Sequence, residues 1–530
     1  MTSISLSLLF FLLALTTPLS HSAGFVSIDC GSSKSYVDDN TIKWSGDETL
    51  INNGESHVVK DTRAVSQELT TLRAFTTRKK NCYSIEAEKG QQILLRVTFY
   101  YGNYDGKSSP PSFELHADGN YWATINFSSD DELVIYEAIY VIKGDYISVC
   151  VAQIHPNQFP FISAIQVRGL KPNMYGHVDP EYALLVRQMV AYGSNTTVRY
   201  PDDEYDREWS PELIDHGYVK LTNDAPSIEV NSTDNPPEAV LRHAVTTTST
   251  SEPLILYTDI SSTNGVPIYI NMYFSEVTQL DSDQKRSFVF VIDNQIASDP
   301  IIPPYGGVLQ MYLTNTTATS NTTFALVATK DSTLPPLINA MEVFYVGNTL
   351  TNGTYKKDVE ALNGLQETFS VLQDWTGDPC LPASFTWDWV NCSNSDDTPR
   401  ITALYLNGFG LSGSIPDLSS LDALEIIDLH NNSLTGPIPE FLSNLPSIKE
   451  LNLADNKLSG PVPTSLSKNS NVELDVSGNP VLCSSSKLCS KKNKSSSGSK
   501  SSSGSAKRKS DMLPIILGVM VSSFFVFFFN

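Results

Sequence analysis

Short apolar strings recur at a fixed interval late in the chain, and this repeat limits the possible folds more than any other feature. Each string has one variable residue between two apolar ones, and successive strings start 23 or 24 residues apart: Leu404-x-Leu406, Ile427-x-Leu429, Leu451-x-Leu453 and Leu474-x-Val476. The residue three places after each string is Phe409, Asn432, Asn456 and Asn479 in turn. A repeat of this length forms one coil of a solenoid, and each coil buries its leucines only against its neighbours. The sequence therefore predicts a short solenoid over 400–490, with a cap needed at each end.

The large region before the repeats, 24–347, has the pattern of an all-β fold. Short runs rich in β-branched and aromatic residues alternate with Gly, Asn, Asp and Pro. The clearest runs are Ile93–Tyr101, Leu133–Ile142, Ile147–Gln153, Ile268–Phe274, Phe288–Ile292 and Phe324–Ala328. Runs at this spacing are typical of β-sandwiches or barrels.

An internal echo divides the β region into two similar parts. Residues 160–167 read Pro-Phe-Ile-Ser-Ala-Ile-Gln-Val, and residues 336–343, 176 positions later, read Pro-Leu-Ile-Asn-Ala-Met-Glu-Val. Each string closes one part. We therefore expect two similar sandwiches, over 24–171 and 172–347, joined around Pro172 to Pro211.

Several separate strings in the β region resemble plant malectin-like domains. They are Ser27-Ile28-Asp29-Cys30-Gly31, Arg78-x-x-Asn81-Cys82-Tyr83, the string Thr-Phe-Tyr-Tyr-Gly-Asn-Tyr-Asp-Gly at 98–106, Asp206-Arg207-x-Trp209 and the two closing strings. The resemblance implies two packed malectin-like sandwiches with a cleft between them. Such domains resemble carbohydrate-binding modules, and in relatives they lie outside receptor kinases. Some relatives bind secreted peptides through the same region.

The segment 348–399 joins the β region to the repeats. Lys357–Phe369 has helical spacing, with apolar residues on one face. The string Gly377-Asp378-Pro379-Cys380, followed by Trp387, Trp389 and Cys392, resembles the linker and N-terminal cap of plant leucine-rich repeat receptors. The Gly-x-Ile-Pro and Gly-x-Val-Pro strings at Gly413, Gly436 and Gly460 are of the same type. The resemblance implies a disulfide-closed, Trp-rich cap over the first coil of a leucine-rich repeat stack.

The chain has seven cysteines, which suits folding in an oxidising compartment. Two pairs are close in sequence and are expected to close small loops: Cys380 with Cys392, and Cys483 with Cys489. At most two of the other three, Cys30, Cys82 and Cys150, pair with each other, so one thiol is left over. The Cys and His residues do not show metal-ligand spacing, so we expect neither a metal nor another cofactor.

Aromatic residues near the end of one predicted strand are candidates for ligand binding. Proteins bind sugars by stacking aromatic faces on C–H groups and by pairing polar groups with hydroxyls. The candidate set is Tyr100, Tyr101, Tyr104 and Asp105, with Trp122 and its neighbour Tyr121 as further members. The alternative is that these residues belong to the core or to turns.

Catalysis is not indicated by the sequence. Glycoside hydrolysis needs two carboxylates held about 5–10 Å apart, and acidic pairs such as Asp130/Asp131 and Asp202/Asp203 are more typical of solvated loops. The sequence contains no Gly-x-Ser-x-Gly elbow, His-Glu-x-x-His motif or P-loop. We therefore expect a protein that is not an enzyme.

The N-terminus predicts secretion. Ile4–Leu15 is almost wholly apolar, and small residues up to Ala23 offer a cleavage site, so 1–23 is typical of a signal peptide. Nine Asn-x-Ser/Thr sequons predict a glycosylated surface. They are Asn126, Asn195, Asn231, Asn315, Asn321, Asn352, Asn391, Asn431 and Asn493.

The C-terminus predicts membrane attachment. Residues 491–511 are mostly Ser, Gly and Lys, which is typical of a disordered stalk, and 512–530 are apolar. A transmembrane helix and a glycosylphosphatidylinositol anchor signal are both compatible with this pattern. The basic residues Lys507–Lys509 precede the apolar run, against the positive-inside bias of a spanning helix. We therefore favour the lipid anchor, transferred near Ser501 to Ser503, with Ser501 as the named site.

The features combine into one functional prediction. The formal net charge of -22 excludes a nucleic-acid partner, because phosphates would be repelled. We expect a receptor-like protein without a kinase, on the extracellular face of the plasma membrane, that binds a cell-wall carbohydrate or an apoplastic peptide. A short solenoid has a small concave face, which favours docking to a partner receptor kinase over ligand capture; a rigid spacer is the alternative for the repeats. For the whole chain, the alternatives are a structural membrane-to-wall tether and a wall-modifying enzyme.

Overall fold

The computed structural model describes residues 24–61, 65–212, 217–394 and 398–483. The predicted signal peptide, stalk and C-terminal anchor segment lie outside these ranges, as do Cys489, Asn493 and Ser501. Within the described ranges, no helix is both long enough and apolar enough to cross a bilayer. The predicted mainly-β architecture, two sandwiches followed by a leucine-rich repeat stack, is confirmed.

The first sandwich contains strands β1 to β13. Their bounds are β1 (Phe25–Asp29), β2 (Tyr36–Val37), β3 (Lys43–Gly46), β4 (Glu55–Val58), β5 (Thr71–Ala74), β6 (Lys80–Glu86), β7 (Gln92–Tyr100), β8 (Phe113–Ala117), β9 (Asn120–Ile125), β10 (Leu133–Val141), β11 (Tyr146–Gln153), β12 (Phe161–Ile162) and β13 (Ala164–Gly169), with a 3₁₀ turn at Gln67–Leu69. Its core is the apolar layer between β7 and β13 on one side and β6, β8 and β11 on the other.

The second sandwich contains strands β14 to β25 and one short helix. The bounds are β14 (Tyr182–Ala191), β15 (Ser210–Pro211), β16 (Val219–Thr222), α1 (Glu238–Leu241), β17 (His243–Thr246), β18 (Leu254–Leu256), β19 (Val266–Phe274), β20 (Phe288–Ile292), β21 (Gln295–Ile296), β22 (Leu309–Ala318), β23 (Phe324–Ala328), β24 (Leu337–Ile338) and β25 (Ala340–Thr349). Five of the six strand runs marked in the sequence match a structural strand to within one residue at both ends, and the sixth, Ile268–Phe274, starts two residues after its strand does.

The two sandwiches repeat one topology, strand for strand except for the edge strand β2, which has no counterpart in the second. The small sheets have the orders β6-β11-β8-β9 and β18-β23-β20-β21, and the three-stranded sheets have the orders β12-β5-β4 and β24-β17-β16. The echo strings also adopt equivalent hydrogen bonds: the Ser163 N–H donates to the Thr98 carbonyl, and the Asn339 N–H donates to the Tyr273 carbonyl, both at 3.1 Å. The matching strings therefore mark matching strands.

The large sheets of the two sandwiches merge into a single one. Its order is β2-β3-β1-β13-β7-β10-β14-β25-β19-β22, so β10 closes the first part and β14 opens the second. The β10–β14 ladder has only two residue pairs, Ala138 with Leu185 and Ile139 with Leu184. One face of this sheet packs on the small sheets, and the joining segment after β13 contributes to a second apolar layer on the opposite face. The expected cleft is therefore reduced to grooves beside a continuous sheet.

The linker and the repeats share one core. Helix α2 spans Lys356–Thr368, one residue earlier at each end than the sequence predicts, and its buried leucines pack with the Trp-rich cap and the first coils. The remaining bounds are β26 (Val390–Cys392), β27 (Ile401–Tyr405), β28 (Ser412–Gly413), β29 (Ile426–Asp428), β30 (Ser433–Gly436), β31 (Glu450–Asn452), β32 (Lys457–Pro461), α3 (Thr464–Ser467), β33 (Glu473–Asp475) and β34 (Val481–Cys483), with 3₁₀ turns at Ser370–Leu372, Ala383–Phe385 and Glu440–Ser443.

The asparagines that recur at the same position in successive coils have a direct physical role. The Asn456 side-chain amide donates to the carbonyls of Leu429, Leu453 and Ala454 at 2.9, 3.3 and 3.1 Å. Its oxygen accepts the Leu434 N–H at 2.9 Å. One buried side chain therefore satisfies backbone groups of two neighbouring coils.

The structure also resolves the cysteine pairing within its described residues. The predicted Cys380–Cys392 disulfide is present. Cys82 pairs with Cys150 across neighbouring strands β6 and β11, and Cys30 is the left-over thiol, which is buried. The predicted pairing of Cys483 with Cys489 lies outside the described residues, because Cys489 does.

Candidate ligand-binding surfaces

The predicted aromatic cluster lies at the end of β7, but two of its rings are in the core. Tyr100 and Tyr101 are buried, and the Tyr101 hydroxyl donates to Asp105 Oδ1 at 2.5 Å. Tyr104 is half-buried; its ring lies edge-on to Tyr101 at 5.5 Å and also contacts Phe161. Tyr100 and Tyr101 therefore offer no open face for stacking, because folding of the 101–112 loop fills the space above them.

The polar side chains of this loop interact mainly with one another and so stabilise the turn. Burial, followed by the hydrogen bond to Asp105, raises the pKa of Tyr101. Burial acts to raise the pKa of Asp105, but hydrogen bonds from Tyr101 and Lys107 outweigh it and lower that pKa. The Asp105 carboxylate is thus already paired on two sides.

Trp122 belongs to a different surface. It lies on β9, half-buried, and packs edge-on against Tyr140 at 5.8 Å; its neighbour Tyr121 is exposed. The structure therefore brings together four of the five predicted ligand-binding residues and leaves Trp122 apart. Ligand binding by this set stays a prediction, and the partly exposed Tyr104, Asp105 and Trp122 are the members that could reach a ligand.

In each acidic pair considered for catalysis, the two residues have different surroundings. Asp203 is buried, where its carboxylate accepts hydrogen bonds from Arg207 Nε at 2.8 Å and Trp209 Nε1 at 2.7 Å, whereas Asp202 is exposed. Asp131 is exposed, and Asp130 accepts the Gly102 N–H through its backbone carbonyl at 2.9 Å. The Asp203 carboxylate is therefore already occupied by structural hydrogen bonds.

A buried carboxylate, Asp206, ties the joining segment to the first sandwich. It lies 3.3 Å from Arg96 Nη1, 2.8 Å from Arg168 Nη2 and 3.0 Å from Arg199 Nη2. Burial acts to raise the pKa of Asp206, and the three guanidinium charges lower it overall. Each of the three guanidinium groups contacts this carboxylate, so the cluster fixes the segment across the face of the sheet.

The next residue, Arg207, ties the same segment to the second sandwich. Its Nε pairs with Asp203, its Nη1 donates to the Tyr175 hydroxyl at 3.0 Å, and Glu342 Oε1 lies 3.6 Å away. Burial raises the pKa of Glu342, with Arg207 opposing. Asp206 is therefore anchored in the first sandwich and Arg207 in the second. The resemblance alone could not show this division of contacts.

Two grooves flank the short ladder between β10 and β14. One, of about 700 Å³, lies between the Glu88–Gln92 turn and the 172–180 segment. The other, of about 450 Å³, lies where β10 and β14 separate at the opposite end of the ladder. These grooves are what the structure offers in place of the expected cleft.

The Gly-Asp-Pro-Cys string docks on the first sandwich. Lys80 Nζ donates to the carbonyls of Asp378 and Leu381 at 2.6 and 2.7 Å, and the Thr376 hydroxyl donates to the Cys82 carbonyl at 2.7 Å. Burial lowers the pKa of Lys80 to about 8, with the Asp378 charge opposing. A third groove, of about 490 Å³, lies beside this contact.

The exposed face of the repeats is small and polar. Successive strands present Tyr405, Asp428, Asn452 and Asp475 at one register position, and His430 Nδ1 lies 2.6 Å from Asp428 Oδ1. The eight sequon asparagines that the structure describes, all those predicted except Asn493, are exposed. Both features are compatible with an extracellular surface that contacts a partner.

Comparison with protein families identifies both regions. The malectin-like domain model matches residues 28–346, and the leucine-rich repeat model matches 423–445 and 447–469. The Arabidopsis thaliana Uncharacterized protein At1g24485 is 38% identical, covering 66% of this chain and 69% of that protein. The probable LRR receptor-like serine/threonine-protein kinases At1g05700 and PAM74, also from Arabidopsis thaliana, are each 35% identical, over 74% and 76% of this chain. The chain spans about half the length of these kinases, 47% of each.

Solved structures share the fold of the tandem sandwiches. The crystal structure of the plant receptor-like kinase FER has a TM-score of 0.53 at 18% identity, covering 61% of this chain and 96% of that one. A chain in the crystal structure of the plant peptide RALF23 in complex with FER and LLG2 gives a TM-score of 0.52 over the same shares. At this identity the likeness shows the fold alone.

Proposed function

Because this chain belongs to the malectin-like domain family, we propose that it is a cell-surface receptor-like protein that captures an extracellular ligand and acts through a partner receptor kinase. The observation that supports this most strongly is the connection between its parts. The tandem sandwiches share one sheet, and the linker docks on the first sandwich and continues into the core of the repeats. A ligand held by the sandwiches and a partner held by the repeats would therefore be kept in a fixed relation.

The ligand we propose is an apoplastic peptide or a cell-wall carbohydrate. A peptide is supported by the fold shared with FER, which is crystallised with RALF23 and LLG2. A carbohydrate is supported by the partly exposed Tyr104 and Trp122, which carry the aromatic surface that sugars use. The repeats would dock the partner. Their exposed face is short and polar, which favours docking over capture of a ligand.

The proposed location is the extracellular face of the plasma membrane. The predicted signal peptide, the eight exposed sequons and the predicted lipid anchor near Ser501 all support it. Treatment of intact cells with phosphatidylinositol-specific phospholipase should release the protein into the medium. Protein that stays on the membrane would favour the transmembrane alternative.

The binding test uses the full secreted chain, titrated calorimetrically with wall oligosaccharides and with secreted peptides. Saturable binding of either class, together with crosslinking to a receptor kinase ectodomain, is the expected result. Tyr104→Ala and Trp122→Ala report on the carbohydrate site, with Tyr305→Ala, another partly exposed tyrosine on the second sandwich, as the control. Weak multivalent wall binding with no kinase in the crosslinked complexes would instead support a tether.

A further inference from the structure

The groove beside the linker has a glycosylation sequon in its wall, and we propose that the N-linked glycan on Asn352 folds back into this groove and holds the Gly-Asp-Pro-Cys string on the first sandwich. The groove, of about 490 Å³, lies between residues 143–146 of the first sandwich, helix α2 and residues 375–379. We call it the linker groove. The inference goes beyond the proposed function, because it requires only that the chain is secreted and glycosylated.

The sequon is held in place on both sides of its asparagine. The Thr351 N–H donates to the side-chain oxygen of Asn120, on the first sandwich, at 2.9 Å. The Thr354 hydroxyl and N–H donate to the two carboxylate oxygens of Asp378 at 2.5 and 2.7 Å. Asn352 is exposed and lines the groove, and its Nδ2, the atom that carries a glycan, donates no hydrogen bond among the described residues. The first sugar would therefore start from a fixed position beside the groove.

An exposed tyrosine faces the linker groove from the first sandwich. Tyr146 is 55% exposed and lines the groove. It lies two residues before Ser148 on β11, and alternate residues of a strand share one face of the sheet. Ser148 is next to the linker, since its Oγ lies 3.0 Å from the Cβ position of Gly377. Tyr146 therefore faces the linker with an uncovered ring, which is the kind of surface on which the C–H groups of a sugar stack.

The other wall of the groove supplies polar groups that pair with sugar hydroxyls. Asn363, on helix α2, and Gln373 are exposed there, and a side-chain amide both donates and accepts hydrogen bonds. Gln366 shapes this wall, because its amide donates to the carbonyls of Leu372 and Trp375 at 2.8 and 2.7 Å. The groove volume is within the range of about 300–1,000 Å³ that is typical of small-ligand sites. The linker groove thus combines an aromatic ring with amides, as sugar-binding sites do.

The sequon is also the feature that distinguishes this groove from the two beside the β10–β14 ladder. Neither of those has a sequon asparagine among its described lining residues. A glycan on Asn352 is covalently held within reach of the linker groove, so its effective concentration there is high, whereas a free sugar must be captured from solution. The occupant that the structure favours is therefore part of this chain.

The first test compares two glycans on the full secreted chain. Glycopeptide mass spectrometry gives the occupancy of Asn352 and of Asn321, an exposed Asn-x-Thr sequon in the turn between β22 and β23. An amidase that removes N-glycans is then applied to the folded chain, with the denatured chain as the reference for each site. We expect Asn352 to be occupied and its glycan to be removed about tenfold more slowly, the factor that one stacked ring and a hydrogen bond supply. An unoccupied Asn352, or equal rates on the folded chain, would overturn the proposal.

Tyr146→Ala then tests whether the ring itself shields the glycan. Removal of the Asn352 glycan from the folded variant should speed up to nearly the rate at Asn321, because stacking is lost. Tyr305→Ala, at a partly exposed tyrosine on the second sandwich, is the control and should leave the rate at Asn352 unchanged. Slow removal that persists in Tyr146→Ala would mean that the surrounding chain merely blocks the enzyme, and would count against the proposal.

Hydrogen exchange tests the effect on the linker. Asn352→Gln removes the glycan but keeps a side-chain amide, and exchange in residues 144–148 and 373–377 should rise about tenfold. Asn321→Gln, which removes a glycan elsewhere, should leave these residues unchanged. Tyr146→Ala should cause a similar rise alone but no further rise in the Asn352→Gln background, because both changes remove the same contact. Effects that simply add would show that the glycan and the ring do not interact.

The remaining outcomes separate this proposal from the proposed function. Glycans at the other sequons with none at Asn352 would overturn the proposal and leave the receptor role. Rapid removal at Asn352, together with oligosaccharide binding that Tyr146→Ala weakens, would mean that the groove takes a free sugar instead. A chain with no glycan at any sequon would count against secretion, and so against both.

Discussion

The molecule has two joints, and they are built from different kinds of contact. The joint between the sandwiches is a shared sheet crossed by Asp206 and Arg207, whose charges are buried with partners from both sandwiches. The joint between the first sandwich and the linker combines hydrogen bonds from Lys80 and Thr376 to backbone carbonyls with a partly exposed ion pair between Arg78 and Asp374, 3.5 Å apart. Arg78 adds a guanidinium 3.9 Å from the centre of the Trp375 ring.

The difference shows which joint can open. Separating the sandwiches would strand buried guanidinium and carboxylate groups in a low-dielectric interior, which is strongly unfavourable. Separating the linker would expose Lys80, a few carbonyls and the partly exposed Arg78–Asp374 pair to water, which can replace their hydrogen bonds. We therefore expect the tandem sandwiches to behave as one body and the linker joint to be the weaker of the two.

The largest predicted effect breaks the first joint. Asp206→Ala leaves Arg168 buried without its carboxylate and Arg96 with Glu137 alone, so we expect a loss of about 3–5 kcal/mol in the free energy of unfolding. Denaturant unfolding measures this loss. Hydrogen exchange should show faster exchange in β7, β13 and the joining segment together.

The control for that joint is Asp202→Ala, which removes an exposed carboxylate four residues away and should change stability by no more than about 0.5 kcal/mol. Equal losses in the two variants would mean that the buried cluster does not hold the sandwiches together.

Features with a local signature were predictable from the sequence. The coils follow from the leucine spacing, helix α2 from its apolar face, and the cap disulfide from the closeness of Cys380 and Cys392. The tandem topology followed from the echo strings. Each of these features is marked either by residues within a few tens of positions of one another or by a pattern that recurs along the chain.

Features that depend on distant partners were not predictable. Asp206 meets Arg96 across 110 positions, and Lys80 meets Asp378 across 298, so no local pattern marks either contact. The aromatic string at 98–106 shows the opposite error, in which a local pattern predicts a site that the structure does not expose. Its composition suits a sugar site, yet Tyr100 and Tyr101 are buried, because composition does not show which way a strand faces.

The second prediction breaks the linker joint alone. Gly377 has φ of +77°, and a Cβ there would lie 2.4 Å from the Cys82 sulfur, so Gly377→Ala must displace the linker from the first sandwich. We expect a loss of roughly 2–4 kcal/mol from strain and overpacking. Hydrogen exchange should rise around Cys82 and Thr376 while the sandwich joint stays protected.

Gly410→Ala is the matched control for this variant. Gly410 has nearly the same φ, +73°, but no atom within 4 Å of the Cβ position, so only the backbone strain of about 1–3 kcal/mol applies. The joint should stay closed in that variant. Opening in both variants would trace the effect to the backbone and not to the contact with Cys82.

The smallest predicted effect uses pH to weaken the same joint. His116 is buried against Phe385 of the cap, with Glu114 3.0 Å from its Nε2, and burial, assisted by the Lys80 charge, lowers its pKa to about 4. The unfolded chain binds this proton near pH 6.5, so it holds more protons than the folded chain between pH 6.5 and 4, and stability is lost as the pH falls through that window.

The expected loss in the free energy of unfolding between pH 6.5 and 5 is about 2 kcal/mol. This is the effect of one proton over 1.5 pH units. Unfolding curves across this range measure it, and the decisive quantity is the slope of stability against pH, because a pH-independent change in stability shifts the whole curve without changing that slope. His116→Gln should flatten the slope by one proton, while His155→Gln, at an exposed histidine, should keep it. Because Glu114 faces the same ring, and its own pKa is raised by burial, Glu114→Gln should steepen the loss by removing the carboxylate that would stabilise the imidazolium. An unchanged slope in His116→Gln would show that acid acts on this joint, if at all, through another group.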